Sequence, residues 1–159
     1  MDFAEIYRNT LGASPLMPNG IRVKYLRLCG LDLGIGTAVA SGATFKGSRV
    51  ITGTGCFLNH GVYVDRGQLT LGDNVYVGPR VVFASRNHEL GDSNQRAGVN
   101  VDEPITVGSG VWIGAGVIIL GNVNIARGCV IAAGAVVTKD TQPNGVYAGV
   151  PATKIRALD

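Results

Sequence analysis

Between residues 107 and 137 the chain reads VGSGVWIGAGVIILGNVNIARGCVIAAGAVV, with a branched aliphatic at every sixth place: Val107, Ile113, Ile119, Ile125, Ile131 and Val137. Val and Ile make up about a fifth of the chain, so six hits in one phase have a chance probability on the order of one in ten thousand. A strand has period two and a helix about 3.6, and neither produces this spacing. Two further registers run beside the first. Val111, Val117, Val123, Cys129 and Ala135 are small or apolar. Gly110, Gly116, Asn122, Gly128 and Gly134 belong to the two residue types that tolerate a left-handed backbone. Each six-residue unit therefore supplies a short strand, a turn and an inward aliphatic. Three units close one triangular coil, and coils stack at about 4.8 Å, the spacing of hydrogen-bonded strands. The fold class is all-β, a parallel β-helix whose aliphatics stack into a narrow core.

The phase extends upstream with slips. Leu33, Val39, Phe45 and Ile51 form one inward series, Leu71, Val77 and Phe83 another, and Cys56 and Val62 hold a shifted phase between them. Coils are expected from about residue 31 to about residue 140, about five of them at about 18 residues each. Residues 141–159 then form a C-terminal tail. Residues 1–30 are expected as a helical cap, with one short helix in MDFAEIYRNTLG and a second in IRVKYLRLCG. The basic side chains of the second helix read as a solvated face, with weak contact to an anionic lipid or lipid-linked saccharide as the alternative. Residues 84–104, ASRNHELGDSNQRAGVNVDEP, have no six-residue order and are expected to protrude as one long loop. Such loops are uncommon in compact domains and are often functional.

A net charge of +3 is too small to imply a nucleic-acid partner, although small anionic ligands suit it. Cys29, Cys56 and Cys129 show no metal or CxxC spacing and read as reduced thiols of a cytosolic protein. No signal pattern and no apolar run of membrane-spanning length appears, so the expectation is a soluble, cytoplasmic protein.

His88 is one of only two histidines and lies in the irregular segment. It reads either as a solvated loop residue or as a general base, since neutral imidazole takes a proton from a hydroxyl near pH 7. Glu89 stands next to it, where it would orient the ring or meet the substrate. His60 reads as an exposed wall residue. Asn59 and Asp65 stand third after Cys56 and Val62, as turn residues or as outward acceptors for ligand hydroxyls. Two histidines are too few for a three-histidine zinc site in one chain, and no metal is expected.

PITVGSGVWIGAGVIILGNVNIARGCVIAAGAVVTKD followed by YAGVPATKIR resembles the C-terminal half of the hexapeptide-repeat O-acetyltransferases. That family includes galactoside and maltose acetyltransferases and the shorter enzymes that acetylate bacterial surface polysaccharides. The likeness spans about residues 31–156, and the short polysaccharide-type members are the nearer match. It implies a left-handed β-helix, a homotrimer with sites between subunits, acetyl-CoA as cosubstrate and a saccharide hydroxyl as acceptor. It also implies that His88 is the catalytic base and that Asn59 and Asp65 touch the acceptor. Trp112, Ala115, Ala133, Thr138 and Lys139 would line the pantetheine groove, with Thr153, Lys154 and Arg156 near the nucleotide. A backbone N–H from a neighbouring coil would hold the oxyanion. An amino-sugar N-acetyltransferase and a non-catalytic trimeric saccharide-binding solenoid are the alternatives.

Overall fold

A computed structural model of the chain describes residues 3–47 and 49–159. Two helices, α1 (Phe3–Thr10) and α2 (Asn19–Leu28), precede the coils. The first two residues of the expected first helix lie outside the described residues. The first coil carries β1 (Ala38–Val39) and β2 (Thr44–Phe45); the second, β3 (Arg49–Thr52), β4 (Phe57–Leu58) and β5 (Tyr63–Val64); the third, β6 (Gln68–Leu71), β7 (Tyr76–Val77) and β8 (Val82–Ala84). A hairpin of β9 (Arg86–Leu90) and β10 (Ala97–Asp102) then leaves the solenoid. The fourth coil is β11 (Ile105–Val107), β12 (Trp112–Ile113) and β13 (Ile118–Leu120), and the fifth β14 (Asn124–Ile125), β15 (Val130–Ile131) and β16 (Val136–Val137). β17 (Gly145–Ala148) begins a sixth, and β18 (Thr153–Ala157) folds back antiparallel beneath it.

The strands stack in parallel into three walls of a left-handed prism. Wall A holds β3, β6, β11 and β14; wall B holds β1, β4, β7, β12, β15 and β17, with β18 at its foot; wall C holds β2, β5, β8, β13 and β16. Both aliphatic registers face inward: Val111 and Ile113, Val117 and Ile119, Val123 and Ile125 are all buried. The turn register behaves as its residue types require, with positive φ at Gly110, Gly116, Asn122, Gly128 and Gly134.

One inward residue differs from the expected series. Ile51 is half-exposed, whereas Val50 and Thr52 beside it are buried. Registers explain this. Val39 to Phe45, Leu58 to Val64, Val77 to Phe83, Ile113 to Ile119 and Ile131 to Val137 each span six residues, all across the B-to-C corner. The C-to-A corner instead spans seven from Phe45 to Thr52 and from Val64 to Leu71, and there Gly47 and Gly67 carry positive φ. The hairpin departs from this same corner. Counting by six through a seven-residue step moves every later residue to the opposite face of its strand.

The cap is not a solvated basic face. An open coil end leaves backbone carbonyls without partners, and three arginines serve one wall each. Arg27 donates to the Leu33 carbonyl at 2.7 Å, Arg22 to Val39 at 3.0 Å and Arg8 to Phe45 at 3.1 Å. Arg22 is 1% exposed and also donates to the carbonyls of Gly12, Ser14 and Met17. Burial lowers its pKa, and the ring of acceptors offsets that cost. Replacing Arg22 with Met keeps the aliphatic stem but strips four carbonyls of a charged donor. The expected loss is about 3 kcal/mol or more, read as a lower urea midpoint at unchanged slope. Among the described residues no helix is long and apolar enough to cross a membrane.

Candidate functional site

The groove with the most convergent features runs down the B-to-C corner. Asn59, Pro79, Trp112, Ala115 and Ala133 line a depression of about 400 Å³. Trp112 stands outward from wall B, 60% exposed, in a ladder that continues through Val130 and Val146 to Arg156. Lys154 and Thr153 follow on β18, paired with Tyr147 and Ala148. Three cationic or hydroxylic side chains therefore sit at the foot of the wall that carries the tryptophan.

Two backbone donors in this groove are unspent. The amides of Ala115 and Ala133 donate to no acceptor among the described residues, although those of their neighbours Gly114, Gly116, Ala132 and Gly134 all do. Gly78 and Gly114, one coil earlier, leave room for them. A Cβ on Gly78 would come within 2.8 Å of the Ala115 nitrogen, and one on Gly114 within 2.5 Å of the Ala133 nitrogen.

The second group of residues lies at the C-to-A corner. Residues 86–102 are not irregular there but form the β9–β10 hairpin, exposed on both faces and so without an apolar alternation. His88 Nδ1 lies 2.9 Å from the carbonyl oxygen of Gly98. A carbonyl only accepts, so Nδ1 carries the proton, and in the neutral ring Nε2 is left as the basic nitrogen. A register irregularity between Ala97 and Asn100 brings Gly98 to that place. The ring is thus oriented by Gly98 rather than by Glu89, which is adjacent in an extended strand and points to the other face. Asp65, Thr138 and Lys139 belong to this corner as well, each just past a wall C strand.

Asn59 and Asp65 are not at the left-handed turn positions, which fall on Gly55, Gly61 and Gly67. Their side chains cap the next amide: Asn59 Oδ1 accepts from His60, and Asp65 Oδ1 from Arg66, both at 2.8 Å. Two of the three cysteines are structural. Cys56 and Cys129 point inward and donate to the carbonyls of Gly72 and Gln142, and burial pushes the Cys56 thiol up.

The expected site residues thus fall into two groups, one at each edge of wall C, with β18 extending the first. Within one chain, the width of wall C separates His88 from Trp112, Ala115 and Ala133. Sequence reasoning passed over Arg80. It occupies a left-handed turn slot where Gly or Asn is the rule, and that misfit was the available signal.

Residues 104–139 match the family model described as bacterial transferase hexapeptide (six repeats). Galactoside O-acetyltransferase of Escherichia coli strain K12 is 39% identical over 114 residues, which are 71% of this chain and 56% of that protein. The chain therefore spans little more than half the length of this curated relative. Among solved structures, a galactoside acetyltransferase in complex with coenzyme A superposes with a TM-score of 0.83 at 28% identity, covering 98% of this chain and 78% of the other. A hexapeptide-repeat acetyltransferase of Vibrio cholerae, complexed with acetyl coenzyme A, gives 0.74 at 26% identity over 98% and 84% of the two chains.

Proposed function

We propose that this chain, a member of the hexapeptide-repeat left-handed β-helix acetyltransferases, moves an acetyl group from acetyl-CoA to a hydroxyl of a sugar or surface-polysaccharide precursor. The observation that carries this reading is the fixed ring of His88. Its Nδ1–H is committed to Gly98, so Nε2 is available to take the acceptor hydroxyl proton. The acceptor oxygen then attacks the thioester carbonyl carbon. The Ala115 N–H, unspent in the ladder, holds the negative charge that develops on the carbonyl oxygen. As the tetrahedral intermediate collapses, the C–S bond breaks and the proton on His88 passes to the departing thiolate. No acyl-enzyme is required. The pantetheine arm lies past Trp112, Ala115 and Ala133, and Lys154 and Arg156 at the foot of wall B take the phosphates, for which ammonium and guanidinium groups are suited. Thr138 and Lys139 approach the same cofactor from the neighbouring subunit, and Thr153 lies beside the nucleotide. Asn59, Asp65 and Glu89 face the acceptor.

The separation of the two groups by wall C leads to a homotrimer. If wall C faces a threefold axis, its two edges lie at the two interfaces of each subunit. One subunit's His88 edge then meets its neighbour's Ala115 edge, and closed rotation completes three sites. The outward residues of wall C suit that position: Tyr63, Val82, Ile118 and Val136 form an apolar column. Incubation with acetyl-CoA and a sugar panel is expected to release free thiol in an acceptor-dependent manner, with light scattering giving a trimer. An active monomer at micromolar concentration would refute the composite site. Saccharide binding without any thiol release would refute the transferase reading.

A further inference from the structure

A second hollow, of about 540 Å³, adjoins the groove at the B-to-C corner and shares Pro79 and Ala115 with it. Its polar side chains are those of His60 and Arg80; Gly61 and Gly116 complete it. We propose that this hollow binds an anionic group of the acceptor, a carboxylate or a phosphate, and that the substrate class is therefore an acidic saccharide. The proposal rests on the acetyltransfer reading for the identity of the ligand as acceptor.

Arg80 has φ of +56°, and the other non-glycine residues at positive φ among the described residues are Asn74, Asn122 and Asn144. A left-handed backbone is unfavourable for a residue that carries a Cβ and a long side chain. The fold recovers none of that cost through the guanidinium, which makes no hydrogen bond or ion pair among the described residues. This sets Arg80 apart from Arg8, Arg22 and Arg27, whose charges are spent on the coil end. A locally unfavourable residue whose charge is left exposed in a hollow points to a ligand. The stem lies over the coil above, with Cγ placed 3.5 Å from where a Gly61 Cβ would be.

His60 supplies the second donor. Its Nδ1 is 3.0 Å from the Ser41 hydroxyl, which holds the ring to the preceding coil and leaves Nε2 for the hollow. When Ser41 donates to Nδ1, the neutral ring carries its proton on Nε2, and the imidazolium also donates there. Of the backbone amides, only that of Ala115 is unspent, and the acetyltransfer reading gives it the thioester oxygen. The amides of Gly61, Arg80 and Gly116 are committed to Ser41, His60 and Pro79 in the ladder, and no carboxylate lines the hollow. Recognition of an anion there falls to two side chains, those of Arg80 and His60. Its place also separates it from the cofactor phosphates. The hollow lies above Ala115, toward the first coil, whereas Lys154 and Arg156 lie below, past the last coil.

The test uses the full chain and Arg80→Gly, a change that relieves the backbone and so keeps the fold. Three acceptors are compared: a methyl hexoside, the matching methyl hexuronoside and the hexose 6-phosphate. The parent is expected to favour one acidic acceptor over the neutral one by about 10- to 100-fold in kcat/KM, the span for a charge-assisted contact. Which one leads separates carboxylate from phosphate. In Arg80→Gly that ratio should fall to about one. A ratio that survives the substitution, a parent that prefers the neutral sugar, or an acetyl-CoA KM that rises in step would each overturn the proposal. Calorimetry with the methyl hexuronoside and with inorganic phosphate covers the case of no turnover. Binding to the parent and not to Arg80→Gly would keep the anion site while the acetyltransfer reading failed; equal binding, or none, would sink the site itself.

Discussion

Replacing His88 with Ala is expected to lower turnover by about 100- to 10,000-fold, the span for a lost general base. The size of the effect follows from how completely the ring is arranged for one task. Nδ1–H is held by Gly98, the ring is exposed on a hairpin outside the core, and no apolar contact depends on it. The substitution should therefore leave the thermal midpoint within a degree or two, since exposed changes move stability little. Acetyl-CoA affinity by calorimetry should also hold, because the substitution leaves the groove residues Trp112, Ala115 and Ala133 untouched. Turnover within a factor of two of the parent would return His88 to the role of a solvated strand residue.

Ala133→Trp is expected to raise the acetyl-CoA KM by about 10- to 100-fold through steric filling of the groove, with the acceptor KM much less affected. Combined with His88→Ala it tests the composite site directly. Assayed at acetyl-CoA below the parental KM, each variant has little activity alone, but one damages the C-to-A edge and the other the B-to-C edge. In trimers assembled at random from equal amounts of the two, a given interface joins two intact edges with a probability of about one quarter. Co-expressed and purified mixed trimers should therefore regain about a quarter of parental activity. Sites contained within single chains would regain none.

Residues 107 to 137 were readable from sequence because every coil there has uniform steps and every turn carries Gly or Asn. Upstream, the extra residue at each C-to-A corner made Ile51 look inward when Val50 and Thr52 are the buried pair. The hairpin could not be read from periodicity, since RNHEL and AGVNVD are solvated on both faces. The arginine cap left no mark either. A guanidinium that caps an open coil end has the same local sequence as one in water, and only the three-dimensional placement of Leu33, Val39 and Phe45 distinguishes them. In the site, the resemblance singled out Ala115 and Ala133, but their unspent amides depend on which ladder bonds form around them. The orienting role assigned to Glu89 belongs to Gly98 because a bulge ten residues away sets the carbonyl there.

In the five complete coils, length varies only at the C-to-A corner, where steps of six and seven residues and the whole hairpin all occur, while the other two corners keep six throughout. A β-helix built this way has a single expansion joint. Residues added there lift off the prism before the next wall begins, so the stacking of walls A and B is indifferent to how many there are. The groove beside Trp112, on the corner of fixed length, is thereby insulated from changes in the segment that carries His88. Hairpins of different length and chemistry can be exchanged at that one seam, which under the proposed function would alter the acceptor side of the site without disturbing the groove for the acetyl donor.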